Sequence, residues 1–203
     1  AASQIAQGST ATADALVLSW CEHSYGCAAA PAIAPALLRT WDVLMRAWHD
    51  LGFWVHELPK SQLADIAWYH WSLHWESLAI WDGAYRLSEQ ALFHPDERTV
   101  QAIVAEKAEA VQMAEQSLRE VEATRASIED ARHAELVRYF EREWTLCRVL
   151  QAYSEAFYRA RMLHVGDSTQ AARVAALTHR MRQLAAEIKA RDDPPFWTCR
   201  PER

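Results

Sequence analysis

The sequence predicts an all-α protein, an antiparallel bundle of five or six helices around an aromatic-rich core. Three observations carry that expectation. Glycine occurs only five times in 203 residues, and runs of β-branched residues are missing, which removes the usual material of strands and hairpins. Apolar residues recur at three- and four-residue spacing through most of the chain, the period of a one-sided helix. From Glu97 to Val165 there is neither glycine nor proline, so nothing in that stretch forces a helix to stop.

Taken in order, the first ten residues are small and polar and are expected to be flexible. A short helix follows from about Thr12 to His23, with Leu16, Val17 and Trp20 apolar and Gly26 as its stop. Pro31 and Pro35 open a second helix, since proline is tolerated in a first turn. Its seam reads Leu37, Trp41, Leu44, Trp48, Leu51 and Val55, an unbroken 4-3-4-3-4 spacing. Glu57 to Lys60 is a connector, and Ser61 can cap the next helix.

That third helix carries the octapeptide Trp68-Tyr69-His70-Trp71-Ser72-Leu73-His74-Trp75, with Trp68, Trp71, Trp75 and Leu78 on one stripe. It runs past Gly83 to about Leu92, and Phe93 to Asp96 makes a turn with Asp96 as cap. Eight of the ten tryptophans fall before residue 82. The regular stripe favours an interlocking core, with Trp68, Trp71 and Trp75 against Trp41 and Trp48, over a ligand cleft.

A single helix from Glu97 to Val165 would run roughly 100 Å, too long for a compact domain. The seam Val104, Val111, Ala114, Leu118, Val121, Ile128 continues in phase onto Arg132, Glu135 and Arg142, so it breaks. Ser127-Ile128-Glu129-Asp130 resembles a capping box. A turn near residues 124–128 between two antiparallel helices follows. The second helix buries Leu136, Phe140, Trp144, Cys147, Leu150 and Phe157, and His164 to Asp167 ends it. Ser168 starts a last helix with seam Val174, Leu177, Met181, Leu184 and Ile188. Glu115–Arg119, Glu155–Arg159 and Glu187–Arg191 are oriented to pair at i,i+4. The expected organisation is therefore one helical domain over 11–191, aromatic-rich in 11–92 and rich in Ala, Glu and Arg over 97–191, with an irregular tail from 192 to 203 containing Pro194-Pro195-Phe196-Trp197.

Composition excludes several classes of partner. A net charge of −6 gives no electrostatic footprint for nucleic acid. No apolar run reaches the roughly 18 residues that a membrane span requires. Basic charge is almost all arginine, with lysine only at 60, 107 and 189, and asparagine is absent; arginine and alanine in their place suit a GC-rich bacterial genome. Cysteines stand at 21, 27, 147 and 199 without a CxxC motif. Free thiols in a reducing compartment, hence the cytoplasm, are favoured over a Cys21–Cys27 bridge. The chain begins at Ala1 rather than methionine, as a processed or excised product does.

Candidate chemistry is sparse. His70 and His74 lie at i,i+4, the spacing that lets two imidazoles share a metal on one helix face. Glu129 and His133, also i,i+4, with Asp130 nearby, could supply further ligands. Position 71 is Trp, where a zincin has Glu, and no Glu-x-x-His of the di-iron type occurs. Chance pairing among nine histidines is the more economical explanation, and no resident cofactor is expected. Trp71, His74 and Trp75 are the candidate ligand-binding residues, able to stack on a sugar or aromatic ring. There is no G-x-S-x-G elbow and no glycine-rich phosphate loop, and Cys21 and His23 point apart on a helix, so no residue is assigned a catalytic role.

The stretch Asp14-Ala15-Leu16, Ser19-Trp20-Cys21-Glu22-His23-Ser24-Tyr25-Gly26, then Ala28-Ala29-Ala30-Pro31-Ala32-Ile33 leading into Leu38-x-x-Trp41-x-x-Leu44 resembles the segment after the catalytic barrel in bacterial glycoside hydrolases of the α-glucuronidase-like and hexosaminidase-like type. The resemblance covers about the first quarter of the chain by motif and the remainder by texture. It implies a non-catalytic helical accessory domain that packs on a (β/α)8 barrel, helps it dimerise or lines its cleft. It implies a catalytic barrel or a second copy as partner, and carbohydrate as the ligand class. The family's catalytic carboxylates lie on barrel strands, so none transfers to this chain. Two alternatives stand beside this expectation: a free-standing helical metalloprotein or enzyme using His70 and His74, and a helical protein–protein interaction module built on the Glu/Arg-faced hairpin at 97–163.

Overall fold

The computed structural model describes residues 12–51, 53–54, 95–164 and 166–190. The fold class is all-α. Among the described residues there are five α-helices: α1 (Ala13–Tyr25), α2 (Ala30–Trp48), α3 (Glu97–Glu122), α4 (Asp130–His164) and α5 (Ala171–Ala190). Two two-residue strands, β1 (His49–Asp50) and β2 (Phe53–Trp54), pair antiparallel with His49 opposite Trp54. The expected helix from Ser61 to about Leu92, the first ten residues and the tail from Asp192 lie outside the described residues.

The helix termini follow the residue chemistry. Thr12 caps α1 by accepting the Ala15 amide at 3.3 Å, and Gly26 ends it at φ 90°, a conformation that glycine adopts without a Cβ penalty. Asp96 caps α3 by accepting the Thr99 amide at 2.7 Å. The turn between α3 and α4 contains a 3-10 turn over Arg125–Ser127. The first bond of α4 runs from the His133 amide to the Glu129 carbonyl, so Glu129 rather than Ser127 occupies the capping position. Gly166, at φ 110°, follows α4, and Asp167 caps the next turn through the Thr169 amide at 3.1 Å.

The chain divides into two compact units, one of residues 1–44 and 110–144, the other of 45–109 and 145–203. In the first, α1, the start of α2, the end of α3 and the start of α4 enclose Cys21, Ala30, Ile33, Ala36, Val121 and Phe140. Arg39 of α2 bonds both carboxylate oxygens of Glu120 on α3 at 2.9 and 3.3 Å, and Ser117 at 2.9 Å. In the second unit, Val100 and Ile103 of α3 pack with Tyr158 and Met162 of α4, while Val149 and Ala152 of α4 meet Leu184 of α5. Arg148–Glu187 and Glu155–Arg173 pair α4 with α5 in antiparallel sense.

Two expected seams are rotated by about one residue. On α2 the buried line is Ala30, Ile33, Ala36, Val43 and Ala47, whereas Leu37 and Leu44 are half-buried and Trp41 is 67% exposed. Alanine lets neighbouring backbones approach closely, and the bulkier side chains then fall on the flanks. Trp41 therefore stands outside the core of the described residues, and its expected partners Trp68, Trp71 and Trp75 lie outside the described residues. Moreover, α2 stops at Trp48 instead of reaching Val55, and Leu51 takes a left-handed φ of 55°. On α3 the buried line is Val100, Ile103, Lys107, Ala110, Ala114, Ser117, Leu118 and Val121, so Ala114, Leu118 and Val121 are buried as expected while Val104 and Val111 sit beside the seam. The α4 residues Leu136, Phe140, Cys147 and Leu150 are buried as expected, and Leu177 and Leu184 carry the seam of α5.

Candidate functional site

A buried polar cluster lies in the second unit, where α2 ends. A helix leaves its last carbonyls without intrahelical partners. Here side chains supply them. The Met45 carbonyl lies 2.8 Å from His49 Nδ1, and because a carbonyl only accepts, that nitrogen carries the proton. Lys107 Nζ donates to the Arg46 carbonyl at 2.7 Å and also to the His49 carbonyl. A lysine at the negative end of a helix macrodipole is favourably placed.

The same ammonium lies 2.9 Å from Asp50 Oδ1, with side chains 1% and 3% exposed. Asp50 in turn accepts from the Tyr158 hydroxyl at 2.8 Å, and Ser154 Oγ stands 3.5 Å away. Burial, then the Asp50 charge, hold both the Tyr158 and Tyr153 phenols above the ordinary tyrosine range. Glu106 completes the set, 3.4 Å from Nζ and accepting the Leu51 amide at 2.9 Å. A groove of about 490 Å³ passes alongside, lined by Met45, Arg46, His49, Ala102, Glu106 and Glu109.

Chemically this is a clamp. The Lys107 amine meets two carbonyls and two carboxylates, which fix its charge in place. A buried ion pair of this kind persists only when its remaining hydrogen-bonding capacity is met, and Tyr158, Ser154 and the backbone meet it. The seam reading on α3 overlooked Lys107. Its signal was present: one of only three lysines in an arginine-rich chain, standing at the right spacing from Ile103 and Ala110. Nothing in the sequence pairs it with Asp50.

His70, Trp71, His74 and Trp75, the candidate metal and ligand residues of the octapeptide, lie outside the described residues. The other pair is described. His133 is buried, with Nε2 3.2 Å from the Val121 carbonyl, and Glu129 lies 3.6 Å from Arg132. Asp130 lies 3.5 Å from Arg125. His133, Asp130, Arg125 and Glu122 line a groove of about 700 Å³ in the first unit. No group of three His, Cys, Asp or Glu side chains able to hold a metal occurs among the described residues. Cys21 is a buried thiol, pushed up by desolvation, and Cys27 an exposed one, so no bridge joins them. No helix among the described residues is long and apolar enough to cross a membrane.

The first unit also exposes aromatic surface. Trp20 is 46% and Trp41 67% exposed, and Leu18, two residues before Trp20, is exposed as well. Trp20 stands edge-on to Tyr25 with ring centroids 5.6 Å apart. No protein-family model, curated protein or solved structure matches this chain.

Proposed function

We propose that the chain is a non-catalytic helical accessory domain of a carbohydrate-active enzyme, docking through the exposed indoles of its first unit on a catalytic barrel. The observation that carries this reading is the exposure of Trp41 and Trp20. Indoles are costly to leave in water, and large ones held at a surface mark contacts. The buried polar groups described above support it from the other side, since Lys107, Asp50 and Tyr158 are spent on one another and on a helix end. The assignment to a carbohydrate-active enzyme rests on the resemblance of residues 13–50.

The full reading frame tests it first. An upstream (β/α)8 pattern is expected, and a frame without one overturns the carbohydrate assignment. With the barrel in hand, Trp41→Ala should weaken its association with this chain about tenfold or more, as loss of an aromatic anchor does. Unchanged affinity in the Trp20→Ala/Trp41→Ala double variant overturns the docking face. The chain alone should leave aryl glycosides unhydrolysed.

A further inference from the structure

Glu143 lies on α4 in the first unit, 1% exposed. Neither of its carboxylate oxygens finds a hydrogen-bond partner among the described residues. Among the described residues, the groups that face it are few. Thr40 of α2 approaches from outside hydrogen-bond geometry, with its own hydroxyl likewise unmatched. Arg39 of α2 contributes positive charge at a distance, and Tyr139 of α4 neighbours both Thr40 and the carboxyl. The cation within reach among the described residues is committed elsewhere, since Arg39 bonds both oxygens of Glu120 and the Ser117 hydroxyl.

An ionised carboxylate in such a place is strongly disfavoured, because burial removes its water and nothing replaces it. A carboxylic acid is tolerated far better. This contrast does not follow from α4 alone; it follows from α3 having taken the arginine that Glu143 would need.

We propose that Glu143 is a proton-dependent latch in the contact between α2 and α4. Protonated, it is a neutral filler beneath Thr40 and the two helices close on it. When its proton leaves to solvent, the buried charge loosens the contact and this part of the first unit opens. Desolvation, opposed only in part by Thr40 and Arg39, pushes the carboxyl up to about 7, so the change falls near neutrality. The sign follows from linkage. A group whose folded-state value is raised stabilises the fold fully below the ordinary carboxylate value of 4.5, and that contribution is lost as pH rises towards and through neutrality.

Hydrogen exchange on the full chain tests the latch. After correction for intrinsic exchange, protection of the α2 amides around Thr40 should fall about tenfold between pH 6 and 8.5, the ratio that values of about 7 closed and 4.5 open imply. In Glu143→Gln, which keeps shape and neutrality, protection should stay level over that range. Parallel pH profiles for the two proteins overturn the proposal. A second measurement needs no variant: the side-chain carboxyl carbon-13 resonance of Glu143 in the wild-type chain. A titration midpoint near neutrality supports the latch, and a midpoint in the ordinary carboxylate range overturns it.

Discussion

Lys107 and Asp50 form a buried ion pair of 2.9 Å at the point where α2 gives way to a two-residue strand. The pair does two jobs at once. It satisfies the carbonyls of Arg46 and His49, and through Asp50 it ties that helix end to Tyr158 and Ser154 on α4.

Lys107→Met should therefore cost roughly 3–5 kcal/mol, the usual penalty for leaving one member of a buried pair without the other. Adding Asp50→Asn should recover part of this, because the amide still accepts from Tyr158 while carrying no charge. Urea denaturation of the single and double variants measures both. A loss below about 1 kcal/mol in Lys107→Met would show that water reaches the pair.

Arg159 and Arg173 converge on one carboxylate. Burial alone would push Glu155 up, but hydrogen bonds from Arg173 at 2.8 and 2.9 Å and from Arg159 at 2.8 Å hold it below the ordinary range. The Arg159 hydrogen bond to Glu97 likewise lowers that carboxyl. For depressed carboxylates the sign is opposite to that of Glu143. Their stabilisation is present above 4.5, the ordinary glutamate value, and is lost as pH falls through the lowered values. Glu155→Gln should shallow the acid limb of the stability profile and cost about 2–3 kcal/mol at pH 7, discounted because Arg173 is half-exposed. Thermal melts between pH 2.5 and 7 decide it, and an acid limb as steep as that of wild type would count against the network.

Leu51 holds φ 55° while exposed to solvent, a conformation that costs an L-residue roughly 1–2 kcal/mol. Its amide donates to Glu106, so the backbone must stay where it is. Leu51→Gly or Leu51→Asn should stabilise the protein by about 0.5–1 kcal/mol, Gly gaining less because it also frees the unfolded chain. A midpoint lowered in both variants would show that the leucine side chain contributes more than the strain costs.

Among the described helices, most starts and stops were legible in the sequence because they depend on local chemistry: Thr12, Gly26, Asp96 and Gly166 act on their own turns, whereas the stop of α2 at Trp48 was not. Seam phase was harder to read. On α2 and α3 the large residues Trp41, Val104 and Val111 marked the rhythm correctly but the wrong azimuth, because alanines packed closest and left them on the flank. The polar core was illegible for a different reason. Lys107 with Asp50, and Glu143 without Arg39, are decided by which partner a distant helix presents, and one chain's pattern does not encode that. Of the candidate site residues, Glu129 precedes α4 as its cap and His133 lies on its first turn, engaged with Arg132 and the Val121 carbonyl respectively.

The clamp at Asp50 also bears on the order of events in folding. Its bonds to Ser154 and Tyr158 join residues 104 and 108 apart in the chain, so a long loop must close before either forms, and that entropy is spent ahead of any return. The helical hairpin of α3 and α4 is far more local and can assemble without it. Contacts made after the barrier lower the rate of escape from the native state and leave the rate of arrival unchanged. Stopped-flow chevrons of Lys107→Met should accordingly show faster unfolding, with the refolding limb nearly unchanged. The ion pair then sets how long the protein stays folded, not how quickly it folds.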